Sequence, residues 1–289
     1  MSAENLKIFS SPNLKNPVML MGFSGWMNGG EVSTGTIECF VEGLDVRTFA
    51  EIESKNYYIY NFPGPMEVTS LFRPHCVVED GLVKEFNEPV NVFWASEKAD
   101  LILFMGQEPN INWVDYSSCV FSLCNRFNVG QIYFLGSVAS LVPHTREPRY
   151  LCSVSDALMK GRFEKLGFKF TNYNGPASIA NYLITCASGK NISMASIIAE
   201  IPAYVHGRNP KCIGSMARMM SGLLGLGLEF SELIALGEEL EKKLTEIIAN
   251  RPELSSHIEK LEADYDNEVF DTEMVDLKDW LHKQGIRLD

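Results

Sequence analysis

Short unbroken apolar runs recur along the chain from residue 17 onward. The first, PVMLMGF at 17–23, has the length and the closing glycine of a buried strand. Further strand-like runs lie at 46–52, 57–62, 75–78, 90–95, 101–105, 131–135, 168–173 and 194–201. Between several of them the apolar spacing lengthens to three or four residues. That spacing predicts helices over 31–44, 113–127, 156–166, 178–188 and 210–224. In the first of these, Val32, Gly35, Thr36, Cys39, Phe40 and Leu44 fall on one side. From residue 100 onward strand and helix alternate, the pattern of a largely parallel sheet covered on both faces. The stretch 46–95 differs. Its consecutive strands, with turn signals NFPGP at 61–65 and Asp80-Gly81, predict a meander or hairpin. The expected fold class is α/β, three-layered, with a mostly parallel sheet.

Beyond residue 228 only the helical period remains. Leu233, Leu236, Leu240, Leu244, Ile247 and Ile248 recur on one face, with Glu238, Glu239, Glu241, Lys242, Lys243 and Glu246 on the other. Asn250-Arg251-Pro252 breaks this helix, and Pro252 suits the first turn of the next. An acidic stretch, 264–279, follows. The expected division is an α/β core over 1–228 and an acidic helical extension over 229–289; helices packed on the same domain are the alternative.

Charge sharpens that division. The 289 residues carry 25 Lys+Arg and 37 Asp+Glu, a formal net charge of −12. Residues 1–228 hold 18 basic and 20 acidic side chains, and residues 229–289 hold 7 and 17. The body is nearly neutral and the tail carries most of the acidity. An acidic balance disfavours duplex nucleic acid as a partner, because nothing overall neutralises phosphates. At 46% hydrophobic and 21% charged, the composition is that of a globular protein. The seven cysteines include no C-x-x-C and most sit among apolar neighbours, as buried thiols of a reducing compartment do. No window approaches the ~18 apolar residues that span a bilayer, and the N-terminus lacks a basic-then-apolar signal layout. The expectations are a cytoplasmic location and no membrane partner.

Candidate chemistry clusters after the strands. The turn at 24–30, SGWMNGG, opens a helix, and such a turn can offer backbone N–H groups to an anion. It matches neither G-x-G-x-x-G nor G-x-x-x-x-G-K-[ST], it has no lysine, and Glu31 would repel phosphate. A tight turn with Trp26 as a packing or interface residue is the plainer reading. His144 and Arg146 follow another strand, where they can recognise an acidic group or share a proton, or simply satisfy loop carbonyls and a carboxylate. Glu200, Tyr204 and His206 end the last strand and are acid–base candidates, each equally available for plain hydrogen bonding. No G-x-S-x-G elbow and no H-x-x-x-H spacing occur, so a serine hydrolase and a dedicated metal site are not expected. Met216, Met219 and Met220 suit an adaptable contact surface or, more commonly, core packing.

Six segments in order resemble the proteasome assembly chaperone type 2 family. They are GWMNGGE at 25–31, FRP at 72–74, VPHTR at 142–146, YNGP at 173–176, EIPAYV at 200–205 and NPK at 209–211. The resemblance covers about residues 17–225. It implies a core similar to the nucleoside phosphorylase/hydrolase-like fold, self-association into dimers or larger rings, and, from some relatives, help in assembling proteasome rings. There are departures. Relatives that dock on the proteasome tend to end in a hydrophobic residue, a tyrosine and one more residue, whereas this chain ends Ile286-Arg287-Leu288-Asp289. Ala203 also replaces the polar residue expected after Pro202.

Three functions follow as expectations, the third being that the acidic tail over 229–289 is a separate interaction module for a basic partner. The first is a homo-oligomeric, non-catalytic scaffold or assembly-chaperone-like protein without a cofactor or metal. It would partner itself and proteasome subunits or another protein, with Gly25, Trp26, Asn28, Gly29, Gly30, Gly175, Pro176, Met216, Met219 and Met220 at ligand or interface positions. The second is an enzyme or sensor for a nucleoside, amino acid or carboxylate. Its site would gather Glu31, Arg73, His144, Arg146, Glu200 and His206 in one strand-end cleft.

Overall fold

The computed structural model describes residues 4–283, with side chains described through residue 267. The chain begins with β1 (Leu6–Ile8), β2 (Val18–Ser24), α1 (Val32–Gly43) and β3 (Arg47–Ile52). An excursion follows that holds the one-turn α2 (Met66–Thr69) and the hairpin β4 (His75–Glu79) and β5 (Leu82–Asn87). The chain returns through β6 (Val92–Ser96), β7 (Leu101–Gln107), α3 (Trp113–Arg126), β8 (Gln131–Ser140) and β9 (Arg149–Val154). It continues with α4 (Ala157–Lys165), β10 (Lys169–Phe170), α5 (Ile179–Ala187), β11 (Ser193–Pro202) and α6 (Pro210–Leu224). Two helices close it, α7 (Ser231–Ala249) and α8 (Pro252–Lys283).

The described residues form one nine-stranded sheet, ordered β1-β3-β6-β7-β2-β8-β11-β9-β10. Its centre, β7-β2-β8-β11, is parallel. The flanks pair antiparallel, apart from the short β9–β10 contact. The central strands read as continuous apolar runs because both faces are covered. On one face α3 and α5 bury Tyr116, Val120, Leu123 and Leu183 against Met19, Met21, Phe104 and Phe134. On the other, α1, α4 and α6 bury Ile37, Phe40, Phe163, Ile213, Met216 and Met220 against Leu20, Leu103, Tyr133 and Ile197. These are the three expected layers.

Local chemistry fixes the helix starts. Asp156 accepts from Met159 N at 2.8 Å. Ser178 and Asn181 form a capping box. Asn209 accepts from Cys212 N at 3.1 Å, with Pro210 at the first helical position.

Three expectations need correction. Residues 57–62 form no strand. Tyr57 is buried edge-on against Tyr116, and its carbonyl accepts from Asn110 N and Ile111 N. That segment is anchored to the β7–α3 loop and has no strand partner there. The run at 168–173 shrinks to a two-residue strand. Strict alternation after residue 100 is broken by β9, whose mixed RYLCSV sequence gave no apolar run and which pairs antiparallel with β11. The expected hairpin does occur, turning at Asp80 and Gly81, both at positive φ.

The extension packs on the body. Phe230 meets Phe40 edge-on, Leu233 joins the cluster beneath α6, and Gly237 lies against the Lys211 backbone. Residues 286–289, on which the expected departure from the family's ending falls, lie outside the described residues.

Gly22 shows how tightly α1 sits on β2. A Cβ there would stand 2.7 Å from the Ser33 carbonyl oxygen and 2.8 Å from Ile37 Cγ1. The backbone oxygen cannot move aside cheaply, so Gly22→Ala should cost roughly 1–3 kcal/mol. Urea denaturation checks this: the midpoint should fall, and an unchanged midpoint would contradict the close approach.

Candidate functional site at the carboxyl edge of the sheet

The chain leaves β2 toward β3 on one side and later crosses to β8 on the other. The crevice between the carboxyl ends of β2 and β8 is therefore the topological switch point, where open α/β sheets usually take ligands. Here the glycine-rich turn fills it. Asn28 bridges Ser137. Ser137 N donates to Met27 O at 2.9 Å, and Ser137 Oγ donates to Gly29 O at 2.6 Å. Gly30 has φ +61°, and a Cβ there would meet the Asn209 side chain at 2.9 Å. Thr34 N donates to Asn28 Oδ1 at 3.1 Å, which ties the turn to α1.

An anion does sit at this turn, and the chain supplies it. Glu108, just past β7, accepts from Trp26 N at 3.1 Å through Oε2 and from Ile179 N at 2.9 Å through Oε1. Gly25 is required beside it: at φ +132°, an added Cβ would stand 2.9 Å from Glu108 Cβ. Trp26 remains 54% exposed above the turn. Glu31 lies away from this carboxylate and pairs with Arg208 at 3.1 Å, which also meets Glu38 at 2.9 Å.

The second cluster lies between the ends of β8 and β11, the start of α6 and the inner face of α7. His144, Arg146, Glu200, Lys211, Glu241 and Leu244 are among its lining residues. The void between them is about 10 Å³, at most about one water. Buried His144 has both ring nitrogens engaged. Tyr204 OH takes the His144 backbone N–H at 2.7 Å and lies 2.8 Å from Nδ1. Thr245 Oγ1 lies 3.2 Å from Nε2. Thr245 Oγ1 donates its own proton to Glu241 O at 2.9 Å and so accepts from Nε2–H, which leaves Nδ1 to accept from Tyr204 OH. Burial pushes the His144 pKa down. Glu241 and Glu262 oppose that shift, and Lys211 adds to it. Glu200 accepts from Ser140 Oγ at 2.7 Å and lies 3.0 Å from the Arg149 guanidinium.

Of the six residues expected in one cleft, the structure brings together His144, Arg146 and Glu200. Glu31 is elsewhere on the edge. Arg73 donates to Asn61 Oδ1 at 3.4 Å, out on the excursion. His206 is exposed on the loop before α6. Gly175 and Pro176 form an exposed turn closed by Tyr173 OH on Pro176 O at 2.9 Å. Met216 and Met220 are fully buried in this chain's own core and offer no surface to a partner, which corrects their place among interface candidates; Met219 is half-buried. Sequence reasoning missed Glu108 and the tail acids Glu241, Glu262 and Asp266. Their only signal was charge, since every partner is remote in sequence.

The excursion between β3 and β6 forms an arm on this same edge. β3 runs parallel to β7, because each is antiparallel to β6. Its carboxyl end and the start of β6 therefore lie beside the other strand ends. Within the arm, Cys76 pairs with Phe86 and Val78 with Val83, and a register shift leaves Lys84 without an opposite residue. Directly opposite residues share a face, so the bulge at Lys84 gathers Cys76, Val78, Val83 and Phe86 on one side. All four are exposed.

The fold and edge define a three-layer α/β protein whose strand-end groups are engaged by its own residues and whose apolar arm is uncovered. The chain belongs to the PAC2 family, whose model matches residues 22–248. No curated protein matches it in sequence. Among solved structures it is similar to a Corynebacterium glutamicum protein of unknown function at 20% identity and TM-score 0.79, covering 92% of this chain and 99% of that one. A Mycobacterium tuberculosis proteasome-assembly chaperone homologue aligns at 26% identity and TM-score 0.71, covering 83% and 99%. An archaeal proteasome activator from Pyrococcus furiosus aligns at 17% and 0.63, covering 84% and 97%. Among the described residues no helix is long and apolar enough to cross a membrane, and no group of three or more His, Cys, Asp or Glu is placed to hold a metal ion.

The cleft makes a pH prediction. His144 has its pKa lowered from 6.5 in the folded chain, so the unfolded chain binds more protons in the interval between the two values. The neutral ring's contribution is complete above about pH 6.5 and is lost as pH falls below it. Thermal midpoints measured from pH 7.5 to 5 should fall less steeply in His144→Gln than in the wild type. Parallel curves would contradict the assignment.

Proposed function

We propose that this protein is a homo-oligomeric, non-catalytic scaffold of the proteasome-assembly-chaperone kind, with an α/β core over 1–228 and an acidic helical extension over 229–289. Family membership supports the chaperone-like role, as do structural neighbours described as a proteasome-assembly chaperone homologue and a proteasome activator. Proteasome subunits, or another protein handled in the same way, are its partners beyond itself.

The observation that carries self-association is the arm. Met66 and Leu71 are 81% and 80% exposed, and Val83 and Phe86 are 64% and 55% exposed. Phe62, Val68, Val78, Leu82 and Val90 are also exposed. A standard interface buries ~800 Å² per partner, and Val78, Val83 and Phe86 on one face of the hairpin give it an apolar centre. A lone two-stranded hairpin is marginal in water and needs a covering surface. A second copy supplies a matching one: two identical apolar faces pack about a twofold axis, as isologous interfaces do.

The small-molecule reading draws its support from the convergence of His144, Arg146 and Glu200. The void of about 10 Å³ limits any such ligand to a form of the protein in which α7 and α8 have moved. Turnover abolished by His144→Ala would favour that reading over the scaffold.

Light scattering on the purified full-length chain tests the proposal. The wild type should run as an oligomer, and Val83→Lys/Phe86→Lys should shift it to the monomer mass with an unchanged far-UV spectrum. A monomeric wild type, or a double variant of unchanged mass, would overturn the role of the arm.

A further inference from the structure

The tail acids are placed as a ligand would be. Arg146 meets Asp266 in a two-pronged contact, Nε to Oδ1 at 2.8 Å and Nη2 to Oδ2 at 2.7 Å. Its Nη1 lies 3.7 Å from Glu262, which also accepts from Thr145 Oγ1. Lys211 Nζ donates to Glu241 at 2.5 Å and to His144 O at 2.8 Å. The Arg149 guanidinium stands 5.4 Å from the ring centre of Tyr265, whose hydroxyl donates to Glu147 O at 3.0 Å. Glu262, Tyr265 and Asp266 are spaced i, i+3, i+4, so they share one face of α8. The cations they meet lie at the carboxyl ends of parallel strands and at the start of α6, where α/β folds place recognition groups. Planar, two-pronged pairing of arginine with a carboxylate is the geometry of carboxylate recognition, and an aromatic ring over a guanidinium adds to it.

We infer that the cleft formed by Thr145, Arg146 and Arg149 is a binding site for an acidic helical segment of a partner protein, and that α8 occupies it in cis as a competitor, while Lys211 beside it stays held by Glu241 of α7. The partner segment presents two carboxylates and an aromatic residue on one helical face, as α8 does. Charge complementarity selects this occupant. The segment that now fills the cleft belongs to a tail with 17 acidic and 7 basic residues, on a body with 20 and 18. A partner helix displaces α8 and thereby couples binding to release of the tail. The inference rests on the reading of the protein as one that works through protein contacts. Its test needs neither the arm nor an oligomer, so the two fail separately.

The probe is a fluorescein-labelled synthetic peptide with the sequence of residues 252–270, titrated by anisotropy against the full-length protein. The wild type should bind weakly because its own tail holds the site. Glu262→Gln/Asp266→Asn in the full chain should bind at least ten-fold more tightly. Adding Arg146→Ala to that variant should remove the gain, and raising salt should weaken binding. With the peptide made from 13C/15N-labelled residues so that its fragments separate by mass, amide exchange in residues 252–266 of the wild type should speed up at saturating peptide, a readout independent of any substitution. The inference is overturned if the neutralised variant, with an unchanged far-UV spectrum, binds no better than the wild type. It is also overturned if a scrambled peptide of the same composition binds equally well, or if peptide leaves exchange in 252–266 unaltered.

Discussion

Burying four parallel strands on both faces is the constraint from which the rest of this structure follows. Each of β7, β2, β8 and β11 satisfies its backbone within the sheet and turns apolar side chains into two helical layers, so polar chemistry is forced to the strand ends. Parallel strands place several carboxyl ends side by side, and the loops at 24–31, 107–112, 141–148 and 203–209 meet there. The close seat of α1 on Gly22 and the zip of the glycine-rich turn onto Ser137 are consequences of the same packing. A helix laid directly on a strand leaves its connecting turn no room except the crevice above β8.

That edge is then filled from within the chain. Glu108 takes the anion position at the Gly25 turn and the first N–H of α5. Acids of α7 and α8 take the cations beside His144. Strand-end groups held by the chain's own carboxylates, and exposed apolar side chains gathered on a projecting arm, support the proposal that the protein works through protein contacts. The arm and the tail-covered cleft share one edge because β3 and β6 open and close the excursion there. The proposed assembly through the arm and the inferred recognition at the cleft therefore fall on one edge of the sheet.

Much of this fold was legible in the sequence, and the reasons are local. β2, β7, β8 and β11 announce themselves because full burial makes them unbroken apolar runs. The starts of α4, α5 and α6 are written in Asp156, Ser178 and Asn209-Pro210, whose caps act within three residues. β9 was illegible because it sits near the sheet's edge in RYLCSV, half-buried and mixed. Residues 57–62 look like a strand because Tyr57 and Tyr58 are apolar and β-prone, yet the side chains of Tyr57, Tyr58 and Tyr116 are anchored by Asn5 and Asn91, far away in sequence. The site was half legible for the same reason. His144, Arg146 and Glu200 converge because parallel strand ends must. The pairings of Trp26 with Glu108, of Arg146 with Asp266 and of Glu31 with Arg208 each span about eighty residues or more, and no spacing rule reaches that far. The Met-rich helix turned its sulfurs inward because α6 is sandwiched between the sheet and α7, a layer the helical period alone does not specify.

We propose above all that a second copy of the chain covers the arm. Hydrogen–deuterium exchange of the full-length protein across a range of concentrations measures this directly. Amides of residues 75–87 should exchange slowly at high concentration and rapidly on dilution, while those of β2 and β8 stay protected throughout. Equally fast exchange in 75–87 at every concentration would contradict it.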